Sequence, residues 1–191
     1  MLKYMAAAAA LLITSQAEAQ VWKLDSASSL LSFVSIKKGN VGEVHHFDNV
    51  SGSVGDDGTA TIVIDTASAE SGVPVRNERF REILFEVANF PEATFTADVD
   101  LDEFSELAVG ETTETLLFGK LTLKDTVAAI DADVIVTRIA DNAVMVQPLK
   151  PIILDAAELD LGPALETLQT VAKLSSISTA VPVDFRFVFR Q

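Results

Sequence analysis

The amino-acid sequence predicts an all-β protein whose antiparallel strands close into a barrel, with one or two short helices. Segments of roughly 8–14 residues with alternating or continuous apolar character recur along the chain. Short turn-forming sequences separate many of these segments. The strands are also long for an open sheet, and closure is the arrangement that removes exposed strand edges.

The strands can be placed in order along the chain. They are expected near residues 21–24, 30–37, 41–54, 59–66, 93–101, 113–123, 127–139, 143–154 and 177–190. Turns such as Asp56-Asp57-Gly58 and Asp141-Asn142 connect neighbours so tightly that those strands must be antiparallel. Two segments, 74–85 and 163–174, have apolar residues at helical spacing and are expected to be short helices that lid a barrel end or cover a sheet edge.

The alternation of apolar and polar residues predicts which side chains face the barrel interior. In the last strand, Asp184, Arg186 and Arg190 are expected to face water. The same rule directs Phe118 outward or beneath a helix. The opposite, inward face of the last strand carries Ile177, Thr179, Val181, Val183, Phe185, Phe187 and Phe189. Such an interior is either filled by its own side chains or holds one apolar ligand, and the pattern alone does not decide between them.

The N-terminus predicts export. Lys3 precedes an apolar run over residues 5–13, and Ala17-Glu18-Ala19 follows with small residues at the positions of a cleavage site. We therefore expect a signal peptide at residues 1–19 and a single mature domain at residues 20–191. The apolar run is too short for a lasting membrane span, so no stable membrane insertion is expected.

Composition excludes several classes of function. The chain has no cysteine, which excludes disulfides, thiol catalysis and thiolate metal sites. Its formal net charge of −14 disfavours binding to nucleic acids and to anionic membrane surfaces.

No residues were found that form a convincing catalytic or metal site. Adjacent strand residues His45 and His46 point to opposite faces, so a histidine at the surface or barrel mouth is favoured over a metal ligand. Asp155, Glu158 and Asp160 lack the spacing of a calcium loop and are expected in a solvated loop. No nucleophile motif accompanies the two histidines, so the protein is not expected to be an enzyme.

Four segments in order resemble the YceI family. They are Val21-Trp22-Lys23-Leu24-Asp25 with Ser28, Ser29 and Phe33; residues 76–81 with Phe85, Phe90-Pro91 and Phe95; residues 118–123; and residues 178–185. The resemblance covers nearly all of residues 21–190. One departure is Lys124-Asp125, which stands where the family usually has a glycine turn.

This resemblance implies an eight-stranded antiparallel, lipocalin-like barrel in the bacterial periplasm. It also implies a polyisoprenoid ligand inside the barrel, either a polyprenyl phosphate or the tail of a quinone, and no other cofactor. A homodimer is left open. The interior residues expected to contact such a lipid are Phe33, Phe95, Leu121, Val183, Phe185, Phe187 and Phe189.

The residues that hold a head group are less constrained by the sequence. Arg76, Arg79 and Arg81 cluster in one predicted helix and are candidates for a phosphate site. The competing interpretation is a solvated helix face on which these arginines pair with neighbouring glutamates, namely Glu78, Glu82 and Glu86. Two other functions also remain: a filled-core barrel acting as a stress-related interaction protein, and a small lipid-modifying enzyme, which would need a titratable residue facing inward.

Overall fold

The computed structural model describes residues 21–191, so the expected signal peptide lies outside the described residues. The strands are β1 (Trp22–Leu24), β2 (Leu30–Lys37), β3 (Val41–Phe47), β4 (Val50–Val54), β5 (Thr59–Asp65), β6 (Ala69–Glu70), β7 (Glu92–Asp98), β8 (Thr112–Leu123), β9 (Thr126–Ala140), β10 (Ala143–Pro148), β11 (Ile152–Asp155) and β12 (Ala180–Arg190). The helices are α1 (Pro74–Arg79), which continues as a π-turn over Phe80–Leu84, α2 (Asp102–Ser105) and α3 (Gly162–Val171). Single 3-10 turns form at Ser26–Ser28 and Thr66–Ser68.

Eight strands close into an antiparallel ring in the order β1-β4-β5-β7-β8-β9-β10-β12. The ring is closed by β12 pairing back onto β1, with Lys23 opposite Arg190 and Leu24 opposite Phe189. Closure satisfies the backbone hydrogen bonds of strands that would otherwise form an edge. The predicted eight-stranded antiparallel barrel is therefore confirmed.

The long strand β12 belongs to two parts of the wall. Its second half pairs with β10 and β1 in the closed ring, whereas its first half pairs with β2 and β11. Strand β3 pairs with β2, and the short β6 covers only His46 and Phe47 of β3. The remainder of β3 is thus an edge within the described part of the chain, and this end of the barrel is bounded by helices rather than by a continuous sheet.

The prediction of two long strands was wrong, because each of the two predicted segments contains a break. The segment predicted as one strand over 41–54 is β3 and β4, separated at Asp48 and Asn49, residues that favour turns. The segment predicted over 143–154 is β10 and β11, with Lys150 and Pro151 between them. Proline has no amide hydrogen for a strand ladder, which accounts for the second interruption. The helix α2 was not predicted.

Both predicted helices form, and each covers the interior. Pro74 and Pro163 stand in the first turns of α1 and α3, where a missing amide hydrogen costs no helical bond. Phe80 and Leu84 of the π-turn are buried, as is Leu168 of α3. None of the helices in residues 21–191 has the length and apolar character needed to cross a bilayer.

Candidate functional site

The interior of the barrel contains two adjoining apolar cavities. The first, here called chamber 1, has a volume of about 530 Å³. The second, chamber 2, has a volume of about 380 Å³ and lies beneath α1, the π-turn and α3. The chambers adjoin because four residues line both of them: Leu31, Leu121, Leu154 and Val183.

Chamber 1 is walled by the inward faces of the closed ring. The rings of Phe185 and Phe187, two residues apart on one face of β12, are stacked with centroids 4.5 Å apart. Their alternation with outward residues follows directly from the strand pleat. Trp22 stands at the edge of this chamber, where the guanidinium of Arg138 lies 5.7 Å from its ring. The chamber can therefore accept an apolar chain but offers few polar contacts along its length.

Gly119 sets the width of chamber 1. It faces inward on β8, opposite Ala97 of β7, and the Phe95 ring lies directly over it. A Cβ atom at this position would stand 2.2 Å from Cζ of Phe95, far closer than van der Waals contact. The absence of a side chain at Gly119 therefore lets the Phe95 ring lie against the wall instead of across the cavity.

Chamber 2 is lined by aromatic rings and by leucines of α3. The Phe33 ring has its centroid 5.3 Å from that of Phe47 and 5.9 Å from that of Phe80. Such tilted contacts are favourable for aromatic pairs. Leu165 and Leu168 of α3 close the chamber from the opposite side. The walls of the two chambers thus form one largely apolar interior with helices at one end.

A cluster of charged side chains lies at the opening of chamber 2. Lys37 Nζ is 2.6 Å from Glu43 Oε2, and Arg76 Nη2 is 2.9 Å from Glu43 Oε1. The hydrogen bond from Lys37, with Arg76 beside it, holds the pKa of the Glu43 carboxyl below its usual value. Arg79 lines the same chamber and donates to the Val171 carbonyl at 3.5 Å. We call Lys37, Arg76 and Arg79 the cationic cluster. Lys37 and Arg76 share the carboxylate of Glu43, and Arg79 lines the same chamber, so the three cations exceed this one carboxylate by two positive charges.

Comparison with known proteins decides the family. The YceI-like domain matches residues 22–189. The chain belongs to the YceI-like domain family. A polyisoprenoid-binding domain from Saccharophagus degradans, implicated in plant cell wall breakdown, is 41% identical, with a TM-score of 0.87 over 88% of this chain and 97% of that one.

A second solved structure, BcnA of Burkholderia cenocepacia, extends the likeness at the level of the fold. It is 22% identical, with a TM-score of 0.66 over 86% of this chain and 98% of that one. At this identity the similarity concerns the barrel alone. The comparison with curated proteins returned no match.

The seven residues expected to contact a ligand all line the chambers of this YceI-like barrel. Phe33 lines chamber 2, Leu121 and Val183 line both chambers, and the other four, Phe95, Phe185, Phe187 and Phe189, line chamber 1. The predicted facing of the last strand is confirmed from Val181 to Phe189, with Arg186 exposed between the inward residues. It is wrong at Thr179, which precedes β12, is exposed and lines neither chamber. Phe118 is 63% exposed and lies on the outer wall.

The three arginines proposed for a head group do not act as one set. Arg76 and Arg79 line chamber 2, whereas Arg81 is exposed and is not part of the chamber wall. The grouping of Arg81 with the other two was therefore wrong, because the helix turns its side chain away. The alternative ion pairs within the helix are also not found among the described residues. Arg76 pairs with Glu43 of β3, and Glu86 pairs with Lys124.

His45 corrects the expectation of a histidine at the surface or mouth. Its side chain is completely buried between the rings of Phe33 and Phe80, at centroid distances of 5.1 and 5.2 Å. Nε2 is 2.8 Å from Ser35 Oγ, while Nδ1 has no hydrogen-bond partner among the described residues. Burial, with a smaller contribution from Arg76, lowers the pKa of His45 to about 4, so the ring is neutral at pH 7.

The Ser35–His45 pair lacks the third group of a catalytic triad. In such triads an acid bound to the second ring nitrogen orients the imidazole and stabilises its charged form. Within residues 21–191 Nδ1 has no such acceptor, and the depressed pKa makes His45 a weak base. The described residues also contain no group of three potential metal ligands.

Sequence reasoning missed the charged residues of β2 and β3. Glu43, His45 and Phe47 share the inward face of β3, and the two-residue period of the strand could have placed them there. The same period could have placed Lys37 on the inward face of β2 with Phe33, diagonally across the β2–β3 pair from Glu43. Only the contact of Glu43 with Arg76 depends on the approach of α1 to β3. The carboxylates of the 155–160 loop are exposed, as expected.

Proposed function

We propose that this protein is a periplasmic carrier that binds one isoprenoid lipid, with the chain in chambers 1 and 2. The observation that carries the proposal is the pair of adjoining apolar cavities of about 530 and 380 Å³. Membership of the YceI-like family and 41% identity to a polyisoprenoid-binding domain support the same class of ligand. The expected signal peptide supports the compartment.

The cavities disfavour the alternative of a filled-core interaction protein. Natural cores are close-packed and leave few voids larger than a water molecule. Ligand sites, in contrast, are typically apolar cavities of about 300–1,000 Å³ with a few polar groups that fix orientation. The described interior fits the second description, because both linings are largely apolar. A few charged residues stand in each: Lys37, Glu43, Arg76 and Arg79 in chamber 2, and Asp56, Asp102 and Arg138 in chamber 1.

An extended apolar chain can bind here without specific polar contacts along the chambers. Burial of apolar surface contributes roughly 25 cal/mol per Å², so about 400 Å² of buried chain contributes roughly 10 kcal/mol before association costs. This is ample for binding of a flexible lipid whose ordering must be offset.

The cationic cluster supports an anionic head group, and hence a polyprenyl phosphate rather than a quinone. Lys37, Arg76 and Arg79 supply two positive charges beyond the one neutralised by Glu43. Arginine matches a phosphate with paired, charge-assisted hydrogen bonds, whereas a neutral quinone head gains little from them. The head would therefore lie at the opening of chamber 2 with the chain directed toward chamber 1.

Catalysis on the lipid is not proposed, because the Ser35–His45 pair lacks the features of an activated nucleophile described above. The small-enzyme alternative does gain an inward titratable group in His45, but its depressed pKa opposes a role as a base near neutral pH.

The test is native mass spectrometry of protein purified from a bacterial periplasm, followed by organic extraction of whatever is bound. We expect a single polyprenyl phosphate per chain. The R76Q/R79Q double variant should bind this ligand more weakly and co-purify with less of it, while Arg186→Gln, a charge removal on the outer face of β12, should retain it. A quinone that remains bound in the double variant would refute the anionic head group. A protein that is empty and ignores added isoprenoids would refute the carrier function.

A further inference from the structure

Three separate segments meet around the opening of chamber 2. The start of α1 is linked to β3 by the Arg76–Glu43 ion pair. The end of α3 is linked to α1 by the bond from Arg79 to the Val171 carbonyl. The turn after β2 is linked to the segment that follows α3, because the Lys38 amide donates to the Ser176 carbonyl at 3.0 Å. These contacts form a ring of exposed residues around the opening.

This ring combines valines with lysines. Val75 is 51% exposed, Val171 43% and Val41 41%, and Val75 also lines chamber 2. Lys38 and Lys173 are exposed beside them. We call these five residues, together with Val73, the mouth rim.

Positive charge is concentrated here in an otherwise acidic protein. The chain has 14 lysines and arginines and a net charge of −14. Lys38 and Lys173 of the rim and the three residues of the cationic cluster make five of those 14, all at one end of the barrel. Glu43 neutralises one of these five charges, and Glu78 stands exposed on the same helix as Arg76 and Arg79, which reduces the local excess of positive charge. More distant acidic residues contribute little, because charges more than about 8 Å away are screened at physiological salt.

We propose that the mouth rim docks on the surface of an anionic phospholipid bilayer, so that a lipid passes between the membrane and chamber 2. This inference rests on the proposed carrier function. A long apolar chain that crosses water exposes its methylene groups at roughly 0.8 kcal/mol each, so direct transfer through a docked opening avoids a large barrier. Exposed valines insert shallowly, and lysines next to them meet anionic head groups.

The composition of the mouth rim favours a membrane over a protein partner. Protein interfaces are depleted in lysine, whereas anionic lipid head groups attract exposed lysines such as Lys38 and Lys173. Its small apolar area gives weak, reversible docking, which a carrier requires because it must leave the membrane again.

The test is flotation of the purified protein with vesicles of phosphatidylcholine containing one quarter phosphatidylglycerol, at physiological salt. The triple variant K38Q/V171Q/K173Q changes the mouth rim without touching either chamber wall. Two juxtamembrane lysines contribute about 1 kcal/mol each, so vesicle affinity should fall roughly 30-fold. The matched variant K23Q/F118Q/K120Q removes the same number of lysines and one exposed apolar residue from other faces, and should float like wild type.

A second measurement separates this inference from the carrier function. Affinity for polyprenyl phosphate in detergent solution should be unchanged in the mouth-rim variant, because its substitutions lie outside the chambers. Wild-type protein that binds the lipid in detergent but does not float would overturn the docking alone. Protein that floats but binds no lipid would overturn the carrier function alone. Flotation that is lost equally in both triple variants, or wild-type self-association that the rim variant abolishes, would also overturn the docking.

Discussion

Replacing His45 with phenylalanine should remove a pH-dependent part of the barrel's stability. The histidine is completely buried between two phenylalanine rings and is neutral in the folded state, with its pKa lowered to about 4. In the unfolded chain the same group titrates near its ordinary pKa of 6.5. Phenylalanine fits the aromatic surroundings but carries no titratable group.

The sign of this pH dependence follows from whether the folded or the unfolded state binds the proton more readily. Between pH 6.5 and pH 4 the unfolded chain is protonated at His45 and the folded chain is not, so stability falls as the pH falls through this window. Arg76, Lys37 and His46 reinforce the low pKa, while Glu43 opposes them. From these two pKa values, wild type should lose about 2 kcal/mol of unfolding free energy between pH 7 and pH 5 through this group alone.

The assay is urea unfolding of wild type and His45→Phe at pH 7 and pH 5. Carboxylates away from His45, such as Asp25, whose pKa is lowered, contribute equally to both proteins and cancel in the comparison. Wild type should lose roughly 2 kcal/mol more than the variant on acidification. Identical pH dependence of the two proteins would refute the burial of a neutral imidazole.

Three further substitutions test the interior. Phe187→Asp places a carboxylate at a position in chamber 1 that is only 8% exposed, and it should cost several kcal/mol of stability or abolish folding. Arg186→Ala, on the outer face of the same strand, should change the unfolding free energy in urea by about 0.5 kcal/mol or less. Equal effects of the two substitutions would contradict the strand facing. Gly119→Ala should push the Phe95 ring into chamber 1 and weaken lipid binding, at a stability cost of roughly 1–3 kcal/mol; unchanged affinity would show that this space is not used. Glu43→Gln removes the carboxylate that pairs with Lys37 and Arg76 of the cationic cluster, and it should tighten binding of a polyprenyl phosphate in detergent. Weaker binding would argue that the cluster serves only the fold.

The strand pattern predicted the barrel because each strand carries its facing in its own sequence. In β12 the alternation between Phe187 and Arg186 is local information, and the structure confirms it. The breaks between strands were harder to predict from the sequence. Asp48 and Asn49, for example, lie within an alternation of apolar and polar residues that also fits one long strand. A two-residue turn changes the path of the chain without changing its period.

The candidate site was predictable only in part, because its parts come from distant elements. The phenylalanines that line the chambers follow from strand facing, but the division of the interior into two chambers depends on how helices cover one end. The cationic cluster needs β2, β3 and α1 to come together around Glu43. No local pattern around Arg76 indicates that its partner lies 33 residues earlier in the chain.

The most direct test of the central claim is the affinity of the purified protein for polyprenyl phosphates of graded chain length, measured with the binding stoichiometry. If one chain runs through both chambers, affinity should rise with each added isoprene unit until chambers 1 and 2 are filled, at one lipid per protein. Affinity that does not depend on chain length, or two lipids bound per protein, would contradict a single continuous site.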